Sequence, residues 1–132
     1  MKFEYKAVIL LVMLFCHIVD DYYLQGVLAS MKQRVWWVKN YPQQQYDNDF
    51  LMALMEHAFS WTFFTHLSVL LYMIYYGESL SWFFGSFVIN WMIHALVDNL
   101  KANHLVLNLV QDQFVHIVQI VLTWLFLVVK VA

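Results

Sequence analysis

Hydrophobic residues fill four long stretches of this chain, and short polar segments separate them. The stretches run over about 5–28, 50–76, 81–100 and 114–131. A bilayer core about 30 Å thick needs roughly 20 mostly apolar helical residues, so each stretch is long enough to cross one. A helix of a water-soluble bundle carries a polar stripe. Here VILLVMLF and IVLTWLFLVV are apolar on every side. The pattern therefore predicts an all-α chain: an integral membrane four-helix bundle forming one transmembrane domain over 1–132. Gly77-Glu78-Ser79 reads as a tight turn, which makes spans two and three a close antiparallel hairpin. Residues 29–49 mix Lys32, Arg34 and Lys39 with Trp36, Trp37 and Tyr41, a composition suited to the headgroup level.

Composition narrows the classes further. Of 132 residues, 63% are hydrophobic and 12% charged, against about 25% charged in an ordinary soluble domain. Seven Lys+Arg against nine Asp+Glu leave no basic patch for a phosphate backbone, so nucleic acid is excluded as a partner and the lipid bilayer is expected. Cys16 is the sole cysteine; it forms no internal disulfide and reads as a small hydrophobe. The start MKFEYKAVILLVMLFC has the makings of a signal peptide. Asp20 and Asp21 follow at once, and no small-x-small cleavage site precedes Ala29, so it is read as a retained first span. Four spans put both termini on one side. Lys2, Lys6 and Lys130 stand there, against Lys32, Arg34, Lys39 and Lys101 on the other, a balance that tilts the longer connections toward the cytoplasm.

The ionisable residues are not scattered. His17, Asp20, Asp21 and Gln25 fall late in span one, and Glu56 and His57 early in span two. His94, Asp98 and Lys101 fall late in span three, with Asp112 and His116 at the start of span four. In an up-down bundle these positions meet in one half of the membrane, most of them within a slab roughly 10 Å thick at about 1.5 Å per residue. Span one carries His17-x-x-x-Asp21-x-x-x-Gln25, and span three carries Asn90-x-x-x-His94-x-x-x-Asp98-x-x-Lys101. An i, i+4 spacing stacks side chains on one helix face. His-x-x-x-Asp followed by a His on the next span occurs twice, which suggests two parallel helical-hairpin repeats.

Charged groups inside a membrane cost several kcal/mol unless paired, hydrated or metal-bound. Imidazole and carboxylate are the usual ligands of Zn²⁺, Mn²⁺ or Fe²⁺, and helix bundles build such sites from inward-facing His and acid residues. The proposed ligands of one or two divalent ions are His17, Asp21, His57, His94, Asp98 and His116. Two other readings stay open: a hydrogen-bond network that only holds the helices together, and a proton or ion path. Glu56 flanks His57 and is a candidate base or outer acceptor. Asp20 faces about 100° from Asp21 on a regular helix and is expected to look to the interface. His66 reads as a packed polar residue, His104 as a solvated loop residue, and the WTFF and WFFG rings as lipid-facing or packing.

HIVDDYYLQ…MK, a His early in span two, HALVDNLKA and DQFVH together resemble the bacterial and phage membrane family catalogued as domain of unknown function 3307. The likeness covers nearly the whole chain. Carried over, it marks His17, Asp21, Gln25 and Lys32, then His94, Asp98 and Lys101, then Asp112, Gln113 and His116, with His57 as the span-two His. The link from Lys101 to Asp112 is shorter than the family's. The resemblance implies the fold, and a multi-pass protein of the bacterial inner membrane, more than an activity. A broader likeness to membrane-bound metal-dependent hydrolases is analogy.

The leading expectation is a metal-dependent hydrolase of an amphiphilic, phosphoester-type substrate. Asp112 or Glu56 would serve as base or orienting acid. Lys32 and Lys101, with Gln25 and Gln113, would hold an anionic headgroup. The rivals are a transporter or ion conductor, which with four spans requires a homo-oligomer, and a non-enzymatic effector that binds a membrane partner.

Overall fold

The computed structural model describes residues 3–131; Lys2, counted above among the terminal-side lysines, lies outside them. Helices α1 (Phe3–Val19), α2 (Leu28–Met31), α3 (Arg34–Asn40), α4 (Asp49–Tyr76), α5 (Ser81–Ala102) and α6 (Leu109–Trp124) follow in order. A π-helical turn, Asp20–Leu24, continues α1, and a π-helical segment, Leu125–Val131, continues α6. The described residues contain no strand.

The breaks have local causes. Gly77 sits at φ 69°, a left-handed conformation that a side chain disfavours, and the Glu78 amide donates back to the Met73 carbonyl at 2.9 Å. This closes α4 and starts the return to α5. Helix α6 begins at Leu109, five residues before the hydrophobic stretch over about 114–131, because Asn108 and Gln111 form a reciprocal cap at its N-terminus. The segment between α1 and α4 is not featureless: α3 packs on α4, and the buried Trp37 donates its indole N–H to the Met31 carbonyl at 2.6 Å.

Helix α1 lies against α4 and α6, and α5 lies against the same two helices, so the four long helices close a ring. One end of the ring is dry. Met13, Val69, Met73, Leu127 and Val128 have no exposed surface there and pack with Phe83, Ile120 and Trp124. Towards the other end the buried positions change to His, Asp and Asn, while Leu11, Phe15, Ile18, Phe63, Ile89, Leu96, Ile117 and Leu122 stay exposed around the outside. Apolar outside with ionisable inside is the reverse of a soluble domain.

Three stretches are long and apolar enough to cross a membrane: Glu4–Leu24, Gln44–Tyr76 and Leu109–Val131. The sequence reading counted α5 as a fourth. It has the length, at 22 residues, but Ser81, Ser86, Asn90, His94 and Asp98 make it too polar to stand with the others. The polarity is directed inward: Asn90, His94 and Asp98 are buried, while Phe84, Val88, Ile89 and Met92 are exposed.

Candidate metal centre

The site begins at the π-helical turn. A π turn inserts a residue and is wider than an α turn, so neighbours that would diverge on a regular helix are both brought inward. Asp20 has no exposed surface and Asp21 is 8% exposed. This corrects the expectation that Asp20 looks to the interface. Its Oδ1 accepts the Ser60 hydroxyl at 2.6 Å, and its Oδ2 stands 3.7 Å from His57 Nδ1. Gln25 closes the same turn by donating to the Asp21 backbone carbonyl.

His57 Nε2, from α4, is the hub. It lies 3.3 Å from Asp21 Oδ1, 3.3 Å from Asp98 Oδ2 and 3.3 Å from His94 Nε2. His94 Nε2 is 3.8 Å from the same Asp98 oxygen. A charge-assisted N–H···O hydrogen bond settles nearer about 2.7–2.9 Å. Ligand atoms about 2.0–2.1 Å from a tetrahedral ion stand roughly 3.3–3.4 Å apart. The spacings around His57 match the edges of a coordination polyhedron better than direct hydrogen bonds. Two overlapping groups have ligand atoms all within 4.8 Å of one another: Asp21, His57 and His94, and His94, Asp98 and His116. His116 Nε2 lies 3.4 Å from Asp98 Oδ1 and 3.4 Å from Asp112 Oδ1.

Rings build the floor. Trp61 is fully buried and stacks on His94 at 4.2 Å between centroids, and His94 stacks on His116 at 4.1 Å. The indole N–H of Trp61 donates to His17 Nδ1 at 2.8 Å. His17 therefore stands outside both ligand groups, although the spacing argument had included it as a ligand. Its Nδ1 is also 3.5 Å from Asp21 Oδ2.

The residues expected to hold a headgroup do come together. Gln25, Lys32, Lys101 and Gln113 line one small cavity of about 120 Å³ with Asp21 and Asp98. The lysines are engaged there. Lys32 Nζ bonds Asp98 Oδ2 at 2.6 Å, and Lys101 Nζ bonds Asp112 Oδ2 at 2.6 Å. Gln113 donates to Asp21 Oδ2 at 3.0 Å and to Asp112 Oδ2 at 3.2 Å. Larger cavities exist, including one of about 350 Å³ between α5 and α6, but apolar side chains dominate its wall.

Glu56 does not belong to the site. It is exposed, because on a regular helix the residue before buried His57 points about 100° away; the acid beside His57 Nδ1 is Asp20, at 3.7 Å. His66 is buried with Nδ1 2.9 Å from the Thr62 carbonyl, and His104 is exposed. Sequence reasoning placed Asn90 on the His94 face without giving it a role, misplaced Asp20, and missed the parts played by Trp61 and Gln119. A polar Gln119 one turn beyond His116, in an apolar run, was the available signal for the last.

The donor set suits a divalent cation on two further counts. Asp20, Asp21, Asp98 and Asp112 are four buried carboxylates facing two ammonium groups, which leaves a formal −2 with neutral imidazoles. Uncompensated charge in such a setting is strongly disfavoured. His57 Nδ1, His94 Nδ1, Asp20 Oδ2 and Asp112 Oδ1 are buried without a hydrogen-bond partner. No family model, no curated protein and no solved structure matches this chain.

Proposed function

We propose that this chain is an integral membrane four-helix bundle of the bacterial inner membrane that holds a divalent cation in its His/Asp cluster and hydrolyses an amphiphilic phosphoester. One observation carries the reading: imidazole nitrogen and carboxylate oxygens from the π turn after α1 and from α5 converge on His57 Nε2 of α4 at 3.3 Å, in a buried pocket with two carboxylates in excess of its lysines. Mixed N and O donors suit Zn²⁺, Mn²⁺ or Fe²⁺. When bound, such an ion supplies Lewis acidity and an activated water at neutral pH.

The protein's own residues then divide the work. Asp21, His57 and His94 would form one ligand group and His94, Asp98 and His116 the other, and Asp20 stands behind His57 Nδ1. Asp112 Oδ1 lies 3.4 Å from His116 Nε2 and would add its negative charge beside the second group. Lys32 and a cation compete for Asp98 Oδ2. With Asp98 turned to a cation, Lys32 would be left to hold an anionic headgroup in the cavity it lines with Lys101, Gln25 and Gln113. The apolar exterior keeps the substrate's acyl part in lipid. The likeness to the unnamed-function membrane family points the same way for location.

The test is phosphate release from a lipid phosphomonoester by protein reconstituted in vesicles. Activity should depend on divalent cation, vanish with chelator, and fall in Lys101→Gln mainly through KM. Chelator-insensitive release, or none with any of the three metals, contradicts the reading. The continuous row Lys101–Asp112–His116–Asp98–His57–Asp20 favours a proton or ion relay in an oligomer as the second reading. It predicts flux across those vesicles that Asp98→Asn abolishes.

A further inference from the structure

Behind His116 lies a second polar layer that the cation reading does not use. Asn90 on α5 and Gln119 on α6 are each 7% exposed. Asn90 donates its amide N–H to the Ser86 backbone carbonyl at 3.0 Å and to Thr123 Oγ1 at 2.9 Å. A backbone carbonyl only accepts, so the Asn90 amide cannot be turned the other way without setting two oxygens face to face. Its Oδ1 is thereby presented to Gln119. Gln119 Nε2 donates to that oxygen at 3.2 Å and to the Asn90 backbone carbonyl at 3.3 Å. A second unambiguous acceptor fixes the second amide. What remains is Gln119 Oε1, which lies 3.1 Å from His116 Nδ1.

An amide oxygen has no proton to give, so His116 Nδ1 must carry the hydrogen in this contact. The neutral ring then has a bare lone pair on Nε2. That lone pair faces Asp98 Oδ1 at 3.4 Å and Asp112 Oδ1 at 3.4 Å. A lone pair between two carboxylate oxygens is stable only with a positive species in the gap. The contacts on the two sides of the ring thus demand one thing of Nε2: that it meet a cation or carry an added proton, never the proton of the neutral ring.

We propose that Gln119, held by Asn90, is a positioning residue that locks His116 with its proton on Nδ1 and so keeps Nε2 free as a ligand for the cation at His94, Asp98 and His116. The role rests on the cation reading above for its purpose, but the lock itself is a property of the metal-free chain. His17 shows the opposite arrangement. There an indole N–H donates to Nδ1, which puts the neutral ring's proton on Nε2, and that ring belongs to neither ligand group.

The experiment is ¹⁵N and ¹³C NMR of histidine-labelled protein in detergent micelles or bilayers, first with chelator and then with Zn²⁺. His116 should show a protonated Nδ1 in the absence of metal, and its Nε2 signal should shift on adding Zn²⁺. Gln119→Leu should lose the Nδ1–H form and bind Zn²⁺ about 10–100-fold more weakly, the usual cost of removing an outer partner of a ligating His. Asn90→Ala keeps the Gln119 oxygen beside Nδ1 but removes one of the two acceptors that orient it, so its loss of the Nδ1–H form and of affinity should be smaller than that of Gln119→Leu. A neutral His116 protonated on Nε2 in the wild type overturns the proposal, whatever the variants do. So does a folded Gln119→Leu with unchanged tautomer and affinity. A protonated Nδ1 in a chain that takes up no Zn²⁺, Mn²⁺ or Fe²⁺ would leave the lock standing and remove the cation reading instead.

Discussion

The two His-x-x-x-Asp hairpins of this chain look alike in sequence and behave differently in space. In the first, His17 turns its Nδ1 to the Trp61 indole at 2.8 Å and its partner Asp21 reaches past it to His57. In the second, His94 is clamped between Trp61 and His116 by stacking, leaves Nδ1 without a partner, and aims Nε2 at His57 and Asp98. One tryptophan makes the difference: its edge satisfies His17 and its face packs His94. Equal spacing put both imidazoles on inward faces; the ring between them decided which one is free to bind something.

This contrast can be broken deliberately. The largest effect is expected at Asp98, which the second ligand group, Lys32, His57 and His116 all share. Asp98→Ala strands the Lys32 ammonium in a buried setting, an unpaired charge that costs about 3–5 kcal/mol. It should also weaken Zn²⁺ binding by more than about 100-fold, beyond the loss typical of outer partners. Thermal unfolding in detergent and a metal titration read the two effects separately.

Next is the pair His94→Ala and His17→Ala. The first should remove cation binding. The second should keep it nearly intact and lower stability by about 1–3 kcal/mol, because the Trp61 N–H is left buried without an acceptor. Equal losses of binding from the two would erase the proposed asymmetry. Lys32→Met sharpens the point with a change of sign. In chelator the variant should unfold more easily, with Asp98 deprived of its ammonium partner. With cation it should bind about tenfold tighter, roughly 1.4 kcal/mol, since the competing ammonium is gone. The smallest effect belongs to Glu56→Gln, expected within about 0.5 kcal/mol of wild type in unfolding, as for other exposed changes.

Much of this arrangement was legible before any coordinates. Helix limits near residues 50–76 and 81–100 follow from apolar length and the Gly77 turn, and α4 and α5 fall within a residue or two of them. The meeting of His57, His94, Asp98, Asp112 and His116 follows from i, i+4 spacing and an alternating chain direction. Other features were hidden for physical reasons. Asp20 turns inward because of a π turn, and no periodicity argument built on regular helix anticipates that change of angle. Glu56 was drawn in by its neighbour, although consecutive residues on a helix face different ways. Trp61 read as one ring among many, since its indole N–H matters only once His17 is known to lie beside it. The polarity of α5 was visible, but its consequence, a helix less apolar than its three companions, emerges only when its buried face is separated from its exposed one.

Everything chemical in this account depends on a cation being held where α1, α4, α5 and α6 converge. Elemental analysis of protein purified in detergent without chelator measures that most directly. The account predicts about one divalent transition-metal ion per chain, or two if both overlapping groups fill, and a fall towards zero in His94→Ala. Less than about 0.2 ion per chain, with no difference between wild type and His94→Ala after incubation with Zn²⁺, Mn²⁺ and Fe²⁺, would contradict it.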